Sequence, residues 1–249
     1  MSQPPLGPEA GKRQQVAAMF DRIAPRYDLL NRVLSAGIDT RWRARAVRML
    51  GRALEAGGTP PAGARLLDVA TGTADLALAV TRLAPAEVVG VDPSEGMLDL
   101  GREKIRQRGL DDVVRLEVGA SEALPFEDDS YDGALVAFGV RNFEDRLAGL
   151  RDIARVLKPG APLVVLEFSE PRGPIAPLFG FYFRKVLPKI GGIVSGDPGA
   201  YSYLHDSVQV FPDGQAFLDE MAASGFAPER AERLTFGIAS LYLGRALAG

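Results

Sequence analysis

A regular alternation of strand-like and helix-like segments between residues 65 and 168 is the feature that most limits what this chain can form. Five short apolar runs have the length and composition of buried strands: 65–70, 87–91, 113–118, 132–138 and 163–168. Helical patterns lie between most of them, at 75–83, 94–108 and 146–157. Apolar strands joined by helices form a parallel sheet with helices on both faces. The chain is therefore predicted to adopt an α/β fold.

The segments on either side complete a single predicted domain over residues 15–249. Residues 15–56 contain two helical patterns and are predicted to form a helical cap. Asp39 and Thr40 are candidate N-caps of the second helix, which carries Trp42 and Leu50 on one stripe. Residues 1–14 are polar and rich in proline and glycine, so we predict a flexible N-terminus.

The pattern changes after the fifth strand. Residues 171–210 are irregular, aromatic and rich in glycine and proline, and they follow the carboxyl end of a strand, where an α/β fold holds its active-site loops. We interpret them as an insertion on the substrate side. A helix from Asp213 to Ser224 comes next, followed by two short strands joined near Gly237. An antiparallel pair at this point would complete a mostly parallel sheet of seven strands.

Composition excludes several classes of site. The 249 residues include no cysteine and a single histidine, His205, so disulfides, thiol catalysis, cysteine-ligated zinc and multi-histidine metal sites are excluded. A net charge of −3 disfavours a polyanionic partner such as duplex nucleic acid. No apolar run reaches the length of about 18 residues that a spanning helix requires, and the first residues do not resemble a secretory signal. We expect a cytoplasmic protein.

Three loops at the carboxyl ends of the first three strands form a candidate nucleoside site. The turn from Asp68 to Asp75 contains Gly72 and Thr73, and its backbone N–H groups can receive an anion at a helix N-terminus. Asp92 ends the second strand, where a carboxylate can accept the hydroxyl hydrogens of a ribose. Ala120 and Ser121 follow the third strand, beside the expected adenine. The turn lacks the G-x-G-x-x-G pattern, which disfavours a nicotinamide enzyme.

Longer matches indicate a family. The stretch from Tyr27 to Trp42 resembles the pattern Y-D-x-M-N-x-x-L-S-x-x-x-H-x-x-W of the ubiquinone/menaquinone biosynthesis C-methyltransferase family. Other stretches are similar to the family's R-V-L-K-P-G-G, L-E-F-S and F-G-L-R-N motifs: 155–161, 166–169 and 138–142, with further matches at 201–204 and 211–212. The resemblance covers most of the chain. It implies a Rossmann-like class I methyltransferase fold and S-adenosylmethionine as methyl donor, with no metal.

The chain departs from the family pattern at a few positions. Leu30 stands for Met, Asp39 for His and Ala161 for Gly. Ala120 and Ser121 replace an Asn/Asp-Ala pair beside adenine, so Ser121 or backbone groups would have to replace a side-chain hydrogen bond to the base. Ala74 in the first turn is more typical of the menaquinone branch than of the ubiquinone branch.

The resemblance implies methylation of a ring carbon in a prenylated quinol, most similar to the conversion of demethylmenaquinol to menaquinol. The resemblance places cofactor contacts at Thr73, Asp92, Ala120 and Ser121, and the turn after the first strand adds Asp68 and Gly72. Arg141 is the candidate for stabilising a phenolate, Asn142 for orienting a ring oxygen, and Tyr27 for hydrogen-bonding the quinol. His205 has the only side chain with an ordinary pKa suited to a base near neutrality, but as a catalytic candidate it ranks below Arg141 and Asn142. Arg141 pairing only with Glu144 or Asp145 is the structural alternative.

Partners and competing functions remain open from sequence. Residues 175–194 are aromatic and basic, which suits peripheral contact with the inner face of a membrane, a tail tunnel, a lid packed on the core or a homo-oligomer interface. A methyltransferase for another small apolar acceptor is one alternative function. A non-catalytic protein that binds S-adenosylmethionine is another, and a nucleic-acid methyltransferase is disfavoured by the acidic balance.

Overall fold

One seven-stranded sheet organises the chain. The computed structural model describes residues 11, 14–24, 35, 37–171, 203 and 206–248. Within these residues the strands are β1 (Arg65–Val69), β2 (Glu87–Asp92), β3 (Val114–Val118), β4 (Gly133–Ala137), β5 (Pro162–Phe168), β6 (Phe226–Leu234) and β7 (Ala239–Ala246). Their order across the sheet is β3-β2-β1-β4-β5-β7-β6. The prediction of a mostly parallel, seven-stranded α/β sheet is confirmed.

Two helices precede the first strand and the others lie between strands, as the periodicity predicts. Among the described residues they are α1 (14–24), α2 (Ile38–Ala56), α3 (Asp75–Val80), α4 (Glu95–Gln107), α5 (Arg146–Val156) and α6 (Gln215–Ala223). Most predicted ends agree within one or two residues. The stretch predicted as one helix over 75–83 is α3 followed by a 3₁₀ turn, Thr81–Leu83.

Strand direction places the site. β1 pairs with β2 on one side and with β4 on the other, both in parallel. The chain therefore leaves β1 toward one edge of the sheet and returns to continue toward the opposite edge, which makes the β1–β4 boundary a topological switch point. In open α/β sheets ligands bind in the crevice outside the carboxyl ends of the strands at such a point. β7 runs antiparallel to β5 and to β6, as predicted for the last two strands.

The prediction that Asp39 and Thr40 cap α2 is wrong. The N-cap is Gly37, and the helix begins at Ile38. Gly37 has a left-handed backbone with φ of 75°, which glycine adopts readily because it has no β-carbon. Thr40 Oγ1 donates back to the Gly37 carbonyl oxygen at 2.8 Å. The Asp39 carboxylate instead accepts hydrogen bonds from Ser35 and Arg43. A buried arginine one turn along the helix thus engages a carboxylate that sequence alone assigned to the helix end.

Apolar side chains cover both faces of the sheet. Leu50 and Leu54 of α2 pack with Leu66 of β1 on one face, and all three are almost fully buried. Leu150 of α5 and Phe217 of α6 lie in the core on the other face. Complete burial of a leucine or phenylalanine side chain contributes roughly 1.5–3 kcal/mol. The two layers hold the loops at the carboxyl edge in place.

Several sequence-based predictions fall outside the described residues. These include residues 1–10 and 12–13 of the predicted flexible N-terminus, Tyr27, His205, and the aromatic segment 175–194. Of the predicted insertion at 171–210, the structure describes positions 171, 203 and 206–210.

Candidate cofactor and substrate site

A cleft of about 700 Å³ opens at the carboxyl edge of the sheet, at the switch point between β1 and β4. The loops that follow β1, β2, β3 and β4 form its walls, and α1 closes one side through Val16 and Phe20. Five of the residues predicted from sequence line this cleft: Gly72, Asp92, Ala120, Ser121 and Asn142.

The turn after β1 has an unusual backbone. Ala70, Gly72 and Ala74 all have positive φ, with values of 55°, 55° and 64°. Left-handed alanines carry steric strain, and such strain is concentrated at functional sites. A β-carbon added at Gly72 would meet no atom within 4 Å, so the backbone at this position faces open space in the cleft. The turn therefore exposes peptide groups to a ligand next to the start of α3.

Asp92 is held rigidly at the mouth of the cleft. Its two carboxylate oxygens accept hydrogen bonds from the backbone N–H groups of Gly72 and Ser94, each at 2.9 Å. Burial is the main reason that the pKa of Asp92 is raised to about 6. The two N–H groups lower this pKa, and the negative charge of Asp21 raises it further. Each oxygen keeps a lone pair for a second donor. This arrangement suits the adjacent hydroxyls of a ribose.

Thr73 and Asp68 lie behind the turn, outside the lining of the cleft. Thr73 is buried and its hydroxyl accepts a hydrogen bond from Lys104 Nζ at 2.9 Å, and the same ammonium binds Asp75. Asp68 is also buried and accepts a hydrogen bond from Thr71 at 2.6 Å. In this geometry both residues support the turn from the side of the core. Direct cofactor contact by either one remains a prediction.

Asp68 gives a first testable prediction. Burial raises its pKa to about 7, whereas the ordinary value is 3.8. The folded state therefore binds more protons than the unfolded state between these pH values, so the free energy of unfolding falls as pH rises through this window. Asn at position 68 does not titrate. In urea unfolding we expect Asp68→Asn to gain stability relative to the wild type between pH 5 and pH 8, and an equal difference at both pH values would contradict a raised pKa.

The loop after β3 closes the cleft opposite the turn. The Ala123 N–H donates to the Ala120 carbonyl oxygen at 3.1 Å, which forms a tight turn directly after the strand. Ser121 is largely buried in the cleft wall beside Phe143. A β-carbon at Gly149 of α5 would approach the Ser121 hydroxyl oxygen to 3.1 Å, so α5 packs directly behind this loop. A hydroxyl and backbone groups are thus available where the family pattern has an amide or carboxylate.

Sequence reasoning missed Asp21, which attaches α1 to the cofactor loop. Its carboxylate accepts hydrogen bonds from the Ser94 hydroxyl and from the Gly96 N–H, the latter at 3.1 Å. Ser94 is also the N-cap of α4, accepting from the Met97 N–H. A carboxylate near a helix N-terminus is stabilised by the helix dipole. Asp21 thus joins the helix that closes the cleft to the loop that carries Asp92.

This contact predicts an effect on cofactor exchange. Asp21→Ala removes both hydrogen bonds, so we expect α1 to separate from α4 more often and the dissociation rate of S-adenosylmethionine to rise about tenfold, which corresponds to about 1.4 kcal/mol. Stopped-flow displacement measures the rate, and amide hydrogen exchange over 14–24 measures the opening. Asp99→Ala on the exposed face of α4 is the control. An unchanged rate with faster exchange would show that α1 does not retain the ligand.

Arg141 and Glu167 form a buried ion pair at the same edge of the sheet. Glu167, at the end of β5, is 0% exposed and accepts from the Arg141 guanidinium at 2.8 Å. It also accepts from the backbone N–H of Phe168 at 2.8 Å. Arg141 donates to the Phe138 carbonyl oxygen and lies over the Phe168 ring, 5.4 Å from its centroid. Arg141 therefore pairs with Glu167, which sequence reasoning missed as a partner although the L-E-F-S match contains it.

Asn142 reaches the cleft and has a second partner. Its side-chain oxygen accepts a hydrogen bond from the Tyr203 hydroxyl at 3.0 Å, and Asn142 itself lines the cleft. Burial raises the pKa of Tyr203, so this phenol remains a donor at neutral pH. The Tyr203 ring packs against Met19 and Ile23 of α1. Two of the three predicted catalytic residues, Arg141 and Asn142, therefore lie next to the cofactor cleft, while the third, Tyr27, lies outside the described residues.

The residues of the cleft fit an adenosine that carries an amino-acid group. Asp92 supplies paired acceptors, Gly72 leaves open space beside the backbone, and the side chains of Met97 and Phe143 supply apolar contact area. Within the described part of the chain, no three His, Asp or Glu side chains are grouped so that they could hold a metal ion.

Sheet order, switch-point cleft and carboxylate after β2 together define the class of Rossmann-like methyltransferases. A family model described as the ubiE/COQ5 methyltransferase family matches residues 9–246. The chain belongs to this family. It is 50% identical over 228 residues to the demethylmenaquinone methyltransferase of Thermus thermophilus, which covers 91% of this chain and 99% of that protein. It is 48% identical over 236 residues to the ubiquinone/menaquinone biosynthesis C-methyltransferase UbiE of Geobacter sulfurreducens, covering 94% and 89%.

Solved structures share the fold at low sequence identity. The [4+2]-cyclase SpnF is similar with a TM-score of 0.68 at 20% identity, over 97% of this chain and 98% of that one. An S-adenosylmethionine-dependent methyltransferase from Mesorhizobium loti is similar with a TM-score of 0.55 at 19% identity, over 78% and 96%. A cyclase among these neighbours illustrates that the fold alone does not specify the reaction.

Proposed function

We propose that this protein transfers the methyl group of S-adenosylmethionine to a ring carbon of a prenylated quinol, converting demethylmenaquinol to menaquinol. The observation that carries the proposal is the buried Arg141–Glu167 pair and Asn142 beside the cleft that Asp92 and Gly72 line, in a chain of the ubiE/COQ5 family. Relatives with 42–50% identity carry the name demethylmenaquinone methyltransferase, which supports the naphthoquinol as acceptor. Relatives named for both quinones keep the benzoquinol as the comparison.

The reaction is a displacement at carbon. When bound, S-adenosylmethionine supplies a methyl group on a positively charged sulfur. The quinol ring carbon attacks this methyl group, so that a C–C bond forms as the S–C bond breaks and S-adenosylhomocysteine leaves. The ring carbon then loses its proton to solvent, which restores the aromatic ring. The ring carbon is a good nucleophile only when a neighbouring hydroxyl has lost its proton, and a phenol has a pKa near 10, about three units above neutrality.

The residues at the end of the cleft supply what this chemistry requires. In this proposal the Arg141 cation stabilises the developing phenolate, directly or through a water. Asn142 orients a ring oxygen, and Tyr203 fixes the amide of Asn142 by donating to its oxygen. Glu167 acts through Arg141, holding its guanidinium in place. Enclosure by Phe143 and by α1 excludes water, which strengthens these charge interactions.

Membrane contact and assembly also belong to the proposal. Residues 175–194 are proposed to contact the inner face of a membrane peripherally, because a prenyl tail holds the substrate in a bilayer and this sequence combines aromatic with basic residues. A homo-oligomer is a further proposal on the same segment. None of the helices in the described ranges is long and apolar enough to cross a bilayer.

Methyl transfer to two acceptors tests the proposal. Purified protein is incubated with methyl-labelled S-adenosylmethionine and either a reduced demethylated naphthoquinol or a reduced benzoquinol, and label is followed in the extracted quinone. Label in the naphthoquinol product supports the proposed reaction, whereas label only in the benzoquinol would reverse the choice of ring. Cofactor binding without transfer to either acceptor would overturn the proposal, leaving another apolar acceptor or a non-catalytic binding protein.

A further inference from the structure

The outward side of α2 carries a stripe of arginines. Arg41, Arg45, Arg48 and Arg52 follow one another at spacings of four, three and four residues, so they lie on one side of the helix over about 16 Å. Arg230 of β6 continues this surface, joined to Arg45 through Glu232. We refer to these five arginines as the basic face. A groove on this surface is lined by four of them, all but Arg41, together with Arg245 and two glutamates, although the whole chain has a net charge of −3.

This arrangement is unfavourable for the helix itself. Like charges three or four residues apart destabilise a helix, and a cation in the first turn opposes the helix dipole. Arg41, Arg48 and Arg52 are exposed, and within the described ranges no carboxylate pairs with any of the three. The remaining arginine of the helix, Arg43, is buried and bound to Asp39. These three arginines thus lower the stability of α2 without a carboxylate partner in the described ranges.

A second unfavourable feature lies in the turn that follows β6, the strand that carries Arg230. Thr235 and Phe236, in the turn between β6 and β7, both have left-handed backbones, with φ of 46° and 59°. The Phe236 side chain is 72% exposed to solvent. Strain of this kind in a residue that is neither glycine nor asparagine is associated with functional positions. The strain at Phe236 holds a large aromatic ring outside the protein.

This turn adjoins the wall of the candidate active site. Thr235 accepts a hydrogen bond from the Trp42 indole at 2.8 Å. The Trp42 ring contacts Phe138 and Phe168, with centroid separations of 6.2 and 6.4 Å, and Phe138 lines the cleft. A continuous set of aromatic contacts therefore leads from the surface at the β6–β7 turn to the cleft.

We propose that the basic face and Phe236 bind the surface of a bilayer that contains anionic phospholipid. Arginines attract the phosphate-bearing surface, and the aromatic ring enters the interface between headgroups and acyl chains. The proposal rests on the proposed function in one respect, since a prenylated acceptor resides in a bilayer and must reach the cleft from there. It is independent of residues 175–194. A membrane is favoured over duplex nucleic acid because the exposed Phe236 ring requires an apolar layer beneath the charged surface, and a bilayer offers one.

Vesicle binding tests the basic face. Co-sedimentation is measured with vesicles of phosphatidylcholine alone and of phosphatidylcholine mixed with phosphatidylglycerol. We expect the wild type to prefer the anionic vesicles, and the triple variant Arg41→Gln, Arg48→Gln, Arg52→Gln to bind them roughly 100-fold more weakly. The matched control replaces three exposed arginines elsewhere by Gln, Arg82, Arg108 and Arg151, with the same change in net charge. It should bind within twofold of the wild type.

Phe236 is tested separately from folding. Glycine adopts a left-handed backbone without steric cost, so Phe236→Gly removes the ring and relieves the strain together. We expect its thermal unfolding midpoint to equal or exceed that of the wild type while binding to anionic vesicles weakens roughly tenfold. Equal vesicle binding by Phe236→Gly and the wild type would remove this residue from the interface.

The outcomes separate this inference from the proposed function. Four results would each overturn the inference. The wild type does not bind anionic vesicles, or the triple variant binds them as well as its control does. Alternatively, binding is lost only when residues 175–194 are replaced, or the triple variant changes its oligomeric state and keeps its vesicle binding. Methyl transfer is measured in parallel with a short-tailed quinol in solution and a long-tailed quinol in vesicles. The triple variant should lose activity only on the second. If the wild type transfers no methyl group to either quinol but binds vesicles as expected, the proposed function is contradicted and the membrane surface is still supported.

Discussion

Replacing Asp92 by Asn is expected to weaken the binding of S-adenosylmethionine about 100-fold. The substitution preserves the shape of the side chain but removes its charge and one of the two acceptors that are proposed to bind the ribose hydroxyls, and charge-assisted hydrogen bonds contribute about 1.5–3 kcal/mol each. Isothermal titration calorimetry with S-adenosylmethionine and with S-adenosylhomocysteine measures the effect. Both ligands should lose affinity equally, because they share the ribose.

The pH dependence of binding follows from the same side chain. Burial raises the pKa of Asp92 to about 6, and only the ionised carboxylate can accept both hydroxyl hydrogens. Affinity of the wild type should therefore be constant above about pH 7 and fall up to tenfold per pH unit below about pH 6, with Asp92→Asn showing a smaller dependence. Asp99→Asn, on the exposed side of α4, serves as the control and should keep wild-type affinity. Wild-type affinity in Asp92→Asn would exclude Asp92 from the ribose site.

The second large effect is expected at the Arg141–Glu167 pair. Removing a group that stabilises charge in a transition state lowers kcat by roughly 10²–10³-fold. Arg141→Gln alone would also leave the buried Glu167 carboxylate without its cation, at about 3–5 kcal/mol of stability. The double variant Arg141→Gln, Glu167→Gln removes both charges and keeps amides that can hydrogen-bond. We expect it to fold with cofactor affinity near that of the wild type while kcat falls by the same 10²–10³-fold.

The pH–rate profile distinguishes a catalytic Arg141 from a structural one. If its charge stabilises the phenolate, its removal raises the pKa of the bound quinol, so the rise of kcat with pH should move to higher pH in the double variant. Glu167→Gln alone retains the Arg141 cation and removes its counter-charge, so the rise should move to lower pH. A profile that is unshifted in both variants, with kcat restored in the double variant, would show that the pair only supports the fold.

Much of the candidate cofactor site could be predicted from sequence because it is encoded locally. Gly72 lies in the turn after β1 and Asp92 ends β2, and the parallel pairing of these two strands brings their carboxyl ends to one edge of the sheet. The hydrogen bond between the Gly72 N–H and the Asp92 carboxylate follows from that adjacency. Ser94 was likewise predictable as the N-cap of α4 from the residue type before a helical pattern.

Local sequence did not decide which way a side chain points. Thr73 and Asp68 belong to the same turn as Gly72, yet both are directed away from the cleft lining, toward Lys104 and Thr71. The left-handed backbone at Gly72 and Ala74, on either side of Thr73, sets this direction, and sequence alone does not reveal a left-handed alanine. Asp39 was expected to cap α2 but binds Arg43, since a buried guanidinium requires a carboxylate more than an exposed helix end does.

Hydrophobic periodicity and turn residues act over a few positions, so they predict the order of strands and helices, the number of strands and the loops of the candidate cofactor site. The partners that lie far apart in the chain follow from the packing of the whole fold. Asp21 meets Ser94 across 73 positions, Glu167 meets Arg141 across 26, and Tyr203 meets Asn142 across 61. The type of a carboxylate, hydroxyl or guanidinium residue does not identify its distant partner, because the packing of the whole sheet and its helices brings the two together.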